Sequence, residues 1–250
     1  MLKSSVGLLA LFALPFLLSG NAAQADEGWG FQDKVTKDPD GKEAKWVLFV
    51  PKAAAKPKEG EKFPLIVFLH GSGETGTDGK KQAEVGLGPA VKKQAETFPA
   101  FVIFPQSQKR SWQAGSPDSD RALRILDQFV KENPVDPNRI YLTGLSMGGF
   151  GTFSLAVSQA DRWAAIVPIC GGGVPSHAEK FKHIPCWCFH GDIDKAVAVT
   201  YSRFMIEALK KAGGEPKYTE YPGVEHNSWD KAYATPELYT WLFAQKRQPK

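Results

Sequence analysis

The run Gly144-Leu145-Ser146-Met147-Gly148 places a serine between two glycines, directly after the apolar stretch Ile140-Tyr141-Leu142-Thr143. Gly149-Phe150-Gly151-Thr152-Phe153-Ser154-Leu155-Ala156 follows, with the small and apolar composition of a helix start. A strand that turns sharply into a helix holds a serine hydroxyl clear of the backbone, free to attack a carbonyl carbon. Glycine is required on both sides because a side chain there would collide with backbone in so tight a turn. A hydroxyl is a weak nucleophile, so the chemistry also needs a base and a group that orients the base. Downstream, Cys186-Trp187-Cys188-Phe189 breaks into the acidic loop His190-Gly191-Asp192-Ile193-Asp194. The strand-like run Lys217-Tyr218-Thr219-Glu220-Tyr221 leads into Pro222-Gly223-Val224-Glu225-His226. Serine, acid and histidine, in that order and each at a strand end, fit acyl transfer by a three-membered relay. Ser146 is then the nucleophile and His226 the base, while the acid is Asp192 or Asp194.

These segments, together with Leu69-His70-Gly71-Ser72-Gly73-Glu74, resemble the serine esterases of the α/β-hydrolase superfamily. Within it they are most similar to bacterial carboxylesterases and phospholipases of the prolyl-oligopeptidase-like and dienelactone-hydrolase-like groups. The resemblance covers about residues 45 to 245 and is specific to the superfamily, not to a substrate. It implies an α/β-hydrolase fold, a mostly parallel central sheet with helices on both faces. It also implies ester hydrolysis through an acyl-enzyme without a cofactor, with a serine peptidase or acyltransferase as the alternative use of the same residues. The His-Gly-x-x-Asp spacing of the group makes the second aspartate, Asp194, the acid. Lys195-Ala196-Val197 stands where a proline or similar residue usually follows.

A tetrahedral oxyanion needs two preorganised N–H donors. The amide of Met147 at the helix N-terminus and that of Ser72, in a loop turned inward by Gly71 and Gly73, are the expected pair. Glu74 is a candidate brace for that loop. Trp112 and Trp229, near strand ends, are candidate walls of a substrate pocket. His70 and His190 each precede a glycine at a strand end and are expected to brace turns; His177 and His183 have no chemical neighbour in the sequence.

Alternating strands and helices must position these groups. Strands are expected at Trp46 to Val50, Pro64 to Leu69, Phe101 to Phe104, Ile140 to Thr143, Trp163 to Ile169, Cys186 to Phe189 and around Tyr218. Helices are expected at Gln82 to Glu96, from a cap at Asp118 or Ser119, after the nucleophile, and at Pro236 to Gln245. Another should carry Phe204, Ala208 and Ala212 on one face and stop at Gly213-Gly214. The lysine-rich stretch from Lys34 to Lys62 reads as solvated surface and edge strand. Only Cys170 to Pro185 separates two of the strands, too little chain for a cap domain, so the site should be open to bulky esters.

Met1-Leu2-Lys3, the apolar run from Val6 to Leu18 and Ala23-Gln24-Ala25 read as a signal peptide, residues 1–25, preceding a catalytic domain at 26–250. Export without a stable membrane anchor, to the periplasm or beyond, is the expectation. Without that leader, 30 basic residues face 27 acidic ones, a balance too even to indicate nucleic acid. The three cysteines are odd in number and read as buried free thiols rather than a disulfide pair, and no histidine or acid shares a metal-ligand spacing with them. No phosphate-cradling glycine motif occurs, so neither metal nor nucleotide is expected. Oligomeric state is not legible.

Overall fold

The structure, a computed structural model, describes residues 27–247. The expected signal peptide lies outside the described residues. Eight strands form one sheet: β1 (Gly30–Lys37), β2 (Glu43–Val50), β3 (Phe63–Leu69), β4 (Phe101–Pro105), β5 (Val135–Leu145), β6 (Ala165–Ile169), β7 (Trp187–Gly191) and β8 (Lys217–Tyr221). Their spatial order is β1-β2-β4-β3-β5-β6-β7-β8. β1 and β2 pair antiparallel, as do β2 and β4, and every later pairing is parallel. Every residue of β3, β4 and β6 is buried, as central strands of a sheet covered on both faces must be.

Six α-helices accompany the sheet among the described residues: α1 (Leu87–Lys93), α2 (Pro117–Glu132), α3 (Met147–Ser158), α4 (Thr200–Lys211), α5 (Ser228–Tyr233) and α6 (Pro236–Ala244). This is the α/β-hydrolase architecture. The candidate chemistry sits where the topology places it, in the loops at the C-terminal ends of β3, β5, β7 and β8. Between β6 and β7 the crossover holds only a short 3-10 helix, Pro175–Lys180, and no cap.

Several elements differ from the sequence reading. The helix expected over Gln82 to Glu96 is split into a 3-10 turn, Lys81–Ala83, and α1. Gly86 causes the break: its φ is 61°, and a Cβ there would lie 2.5 Å from a Leu145 methyl. α2 is capped by Ser116, whose Oγ accepts from the Ser119 amide at 3.2 Å with Pro117 next in the chain, and not by Asp118 or Ser119. On α4 the stripe divides: Ala208 and Ala212 are half-buried against the core, and the fully buried face is the adjacent one. Ser202, Met205, Ile206 and Leu209 are buried, and Phe204 is 57% exposed. β1 is a full edge strand within the lysine-rich stretch, and α5, directly after His226, had no helical signature long enough to read.

Candidate active site

The nucleophile elbow rests on backbone sterics. Ser146 has φ 53° and ψ −117°, a conformation that costs a residue with a side chain about 1–3 kcal/mol. The strain is held from both sides: the Ser146 amide donates to Ile169 O at 3.0 Å, and the Phe150 amide donates to Ser146 O at 3.1 Å. A Cβ on Gly144 would sit 2.4 Å from Gly148 O, and one on Gly148 only 1.9 Å from Leu69 O. Both contacts are with backbone, which cannot give way, so β5, β3 and the start of α3 close together only if both positions are glycine.

The structure brings Ser146, His226 and Asp194 into one relay. Nε2 of His226 lies 2.9 Å from Ser146 Oγ, and Nδ1 lies 2.6 Å from Asp194 Oδ2. A carboxylate only accepts, so Nδ1 carries the proton and Nε2 is left to accept from the serine hydroxyl. Asp194 is 8% exposed. Its Oδ1 accepts from the amides of Ala196 and Val197, each at 2.8 Å. Burial works to raise the Asp194 pKa, but the bonds from Val197, His226 and Ala196 outweigh it and hold the carboxyl below its usual value. Lys195-Ala196-Val197, the departure from the family pattern, thus supplies the two amides that grip the acid. Asp192 is turned away from the relay: its Oδ1 accepts from the Gly223 amide at 2.7 Å, tying the loops after β7 and β8 together.

Ser72 lies in the 3-10 turn Ser72–Glu74 directly after β3, and Met147 is the first residue of α3. As a first-turn residue Met147 has an amide without an intrahelical acceptor. A Cβ on Gly71 would come within 3.6 Å of Ser146 Cβ, which measures how closely the two loops face each other. Glu74 approaches His70 Nδ1 to 4.0 Å, in keeping with a bracing carboxylate. Burial raises its pKa above the ordinary glutamate value.

Trp112 is not a pocket wall. It is 1% exposed, its indole N–H donates to His70 O at 3.0 Å, and its ring packs edge-on against His70 at 5.1 Å. Through those contacts it braces the start of the loop that carries Ser72. Trp229 is half-buried and meets the His226 ring edge-on at 5.3 Å, on the side of the base. His177 and His183 stay in the crossover after β6.

All three cysteines are buried free thiols. Cys170, at φ 40°, lies under the relay: its sulfur and ligand atoms of Asp194 and His226 fall within 4.8 Å of one another. This is the one constellation of metal-ligand type among the described residues. Its carboxylate and imidazole already bond each other, and burial pushes the Cys170 thiol far above its ordinary pKa. Sequence reasoning missed one participant. His190, read only as a turn brace, has Nε2 3.2 Å from Asp194 Oδ2. Its position four residues before the acid was the available signal.

Four of the five exposed large apolar side chains among the described residues, Val174, Ile193, Tyr201 and Phe204, belong to the loops after β6 and β7 and the first turns of α4. Phe150, one turn beyond Ser146, meets Tyr201 edge-on at 5.7 Å. Tyr201, one of these exposed side chains, thus reaches the first turn of the helix that follows Ser146. No helix among the described residues is long and apolar enough to cross a membrane.

Comparison with known proteins agrees with this architecture. The family model for phospholipase/carboxylesterase matches residues 101–235. A bifunctional acetylxylan esterase/xylanase of Neocallimastix patriciarum is 31% identical over 147 residues, 56% of this chain and 21% of that protein. Carboxylesterase SOBER1 of Arabidopsis thaliana is 24% identical over 194 residues, 67% of this chain and 85% of that one. A crystal structure of a thermostable esterase superposes with a TM-score of 0.77 at 36% identity, covering 90% of this chain and 64% of the other. The chain thus spans less than two thirds of some of the proteins it resembles. With a matched model that takes in β4 to α5, including the elbow, the acid and the histidine, the chain belongs to the phospholipase/carboxylesterase family of α/β-hydrolases.

Proposed function

We propose that this chain hydrolyses carboxylic esters through an acyl-enzyme on Ser146, with His226 as the base and Asp194 as the acid that orients it. The observation that carries the reading is the continuous pair of contacts, 2.6 Å and 2.9 Å, from Asp194 through His226 to a serine on a strained elbow. Ser146 Oγ attacks the ester carbonyl as its proton passes to His226 Nε2. The oxyanion that forms is held by the amides of Met147 and Ser72, and removing one such donor typically costs about 10²–10³ in rate. His226 returns the proton to the departing alcohol. A water molecule, deprotonated by the same nitrogen, then releases the acid from Ser146.

The exposed apolar side chains of Val174, Tyr201 and Phe204 support an ester with a bulky apolar group, such as a hydroxycinnamate, and the absence of a cap in the β6–β7 crossover supports an alcohol as large as a carbohydrate. The similarity to an acetylxylan esterase favours carbohydrate esters from a separate direction. Residues 1–25, read as a leader, support the further proposal that the chain is exported to where such esters are met; an exported protein beginning at Asp26 by mass would bear that out.

A panel of p-nitrophenyl esters of rising acyl length, with methyl ferulate and a peptide anilide, tests the reading. Ester turnover is expected, with the aromatic ester preferred over acetate. Ser146→Ala should lower kcat by about 10⁶-fold, and adding His226→Ala should cost little more, because the residues act as a unit. Wild-type ester rates in Ser146→Ala would sink the relay, and faster cleavage of the anilide than of any ester would make the chain a peptidase.

A further inference from the structure

His190 is fully buried, yet it is not packed as an apolar group; each ring nitrogen faces polar atoms. Nε2 lies 3.0 Å from Val197 O and 3.2 Å from Asp194 Oδ2. Both are acceptors, so Nε2 carries a proton. Nδ1 lies 2.7 Å from Ser202 Oγ on α4, close enough to accept from that hydroxyl in the neutral ring. The same hydroxyl donates to Gly171 O at 2.9 Å, in the loop after β6, so its one proton is shared between that carbonyl and Nδ1, and the Cys188 thiol donates to it at 3.3 Å. The charged groups around the ring are few. Asp194 and His226 approach from the loops after β7 and β8, and Glu220 stands opposite in register on β8, paired with Arg203 of α4.

The consequence lies at the acid. A carboxylate offers about four acceptor sites. The amides of Ala196 and Val197 take those on Oδ1, and His226 takes one on Oδ2. His190 Nε2, bonded to Val197 O, lies 3.2 Å from Oδ2 as a second imidazole nitrogen beside it. The Val197 peptide is held twice, through its amide by Asp194 and through its carbonyl by His190. Carboxylate, peptide and imidazole form a closed ring of contacts that fixes the plane of Asp194.

We propose that His190 is a positioning residue for the reaction, a second imidazole on the acid that fixes its orientation and draws part of its charge away from His226. This rests on the relay proposed above. Burial holds the His190 pKa below the ordinary imidazole value, against the pull of the Val197 carbonyl and Asp194, so the ring is neutral where the enzyme works. A neutral donor on Oδ2 weakens the attraction between Asp194 and a protonated His226. Without it, His226 holds its proton to higher pH.

The test is a set of single variants assayed on p-nitrophenyl acetate across pH, with the downfield Nδ1 proton of His226 followed by NMR. His190→Leu should lower kcat by about 10–100-fold, as loss of outer-shell partners does, leaving KM within about twofold. Its acidic limb in kcat/KM and the NMR titration should both move up by about half a pH unit. His190→Gln, whose amide can reach Val197 O, should recover most of kcat. Ser202→Ala, which removes the partner at Nδ1 together with the bonds to Gly171 O and from Cys188, should shift the limb in the same direction by less. Wild-type kcat and an unmoved limb in His190→Leu would overturn the proposal. If that variant does not fold, an unmoved limb with unchanged kcat in Ser202→Ala overturns it instead. Ester turnover persisting in Ser146→Ala would overturn the relay itself, a separate failure.

Discussion

Two buried His-Gly pairs flank Ser146, one just after β3 and one closing β7, and the two imidazoles are held by different kinds of partner. His70, just after β3, makes both its ring hydrogen bonds with backbone: Nδ1 donates to Gly71 O at 2.6 Å, and Nε2 accepts from the Ser107 amide at 2.8 Å, with the Glu74 carboxylate farther off at 4.0 Å. Behind it, Asp118 accepts from Ser107 Oγ at 2.6 Å and from the amides of Gln108 and Lys109, and Arg121 links Asp118 to Asp38 beyond β1. His190, in β7, is held by the Ser202 hydroxyl, by the Val197 carbonyl and against the Asp194 carboxylate. The first arrangement shapes the loop that carries the Ser72 amide, the proposed oxyanion donor. The second touches Asp194, the proposed acid. A histidine before a glycine at a strand end is therefore not one device: what it contributes depends on whether its partner is a peptide or an ionised group.

The acid side breaks first. Asp194→Asn should lower kcat by about 10⁴-fold, because an amide cannot hold His226 in the Nδ1–H tautomer or balance its charge. Asp192→Asn removes an acceptor from the Gly223 amide and leaves the relay untouched, so its cost should stay under about tenfold. Kinetics of the two variants on one ester separate a catalytic carboxylate from a loop tie two residues away. Equal losses would mean that the loops after β7 and β8 work only as a rigid pair, and the contrast between the two His-Gly regions would fall.

What could be read from sequence follows the range of the forces involved. The elbow was legible because its requirement is local: Gly144 and Gly148 are excluded from carrying a Cβ by atoms at 2.4 Å and 1.9 Å, whatever surrounds them. The buried strands were legible because parallel strands covered on both faces leave an unbroken apolar run, as in β3. Trp112 was misread because its decisive contact, the carbonyl of His70, lies 42 residues away in sequence. The fully buried face of α4 could not be singled out for a related reason. Phe204, Ala208 and Ala212 make as good a helical stripe as Met205, Ile206 and Leu209, and only the place of α4 beside the nucleophile leaves Phe204 outside. His190 was visible as a residue but not as a partner, since its value depends on a carboxylate that bends back over four residues.

The oxyanion side should break in stability more than in rate, and its signature is in pH. Burial drives the His70 pKa down to about 4, against an unfolded value near 6.5. The folded protein therefore keeps His70 neutral while the unfolded chain takes up a proton. The stabilisation is complete above about pH 6.5 and is lost as pH falls toward 4, about 3 kcal/mol in all for this fully buried ring. His190 adds to the same slope, its pKa being lowered by burial as well. Glu74 opposes it, because a carboxyl whose pKa burial raises binds a proton more readily in the fold. Asp194, with a lowered pKa, acts only below the usual carboxylate value and leaves this window to the histidines. Urea unfolding at pH 7.5, 5.5 and 4.5 should show falling stability in the wild type. His70→Asn, whose amide can keep the bond to Gly71 O but cannot titrate, should start lower and lose much less between the same pH values. Kinetics at pH 7.5 should change far less for it than for Asp194→Asn. An unchanged slope in His70→Asn would show that the ring is not the group protonated on unfolding, and that the two His-Gly pairs do not divide structure and chemistry between them.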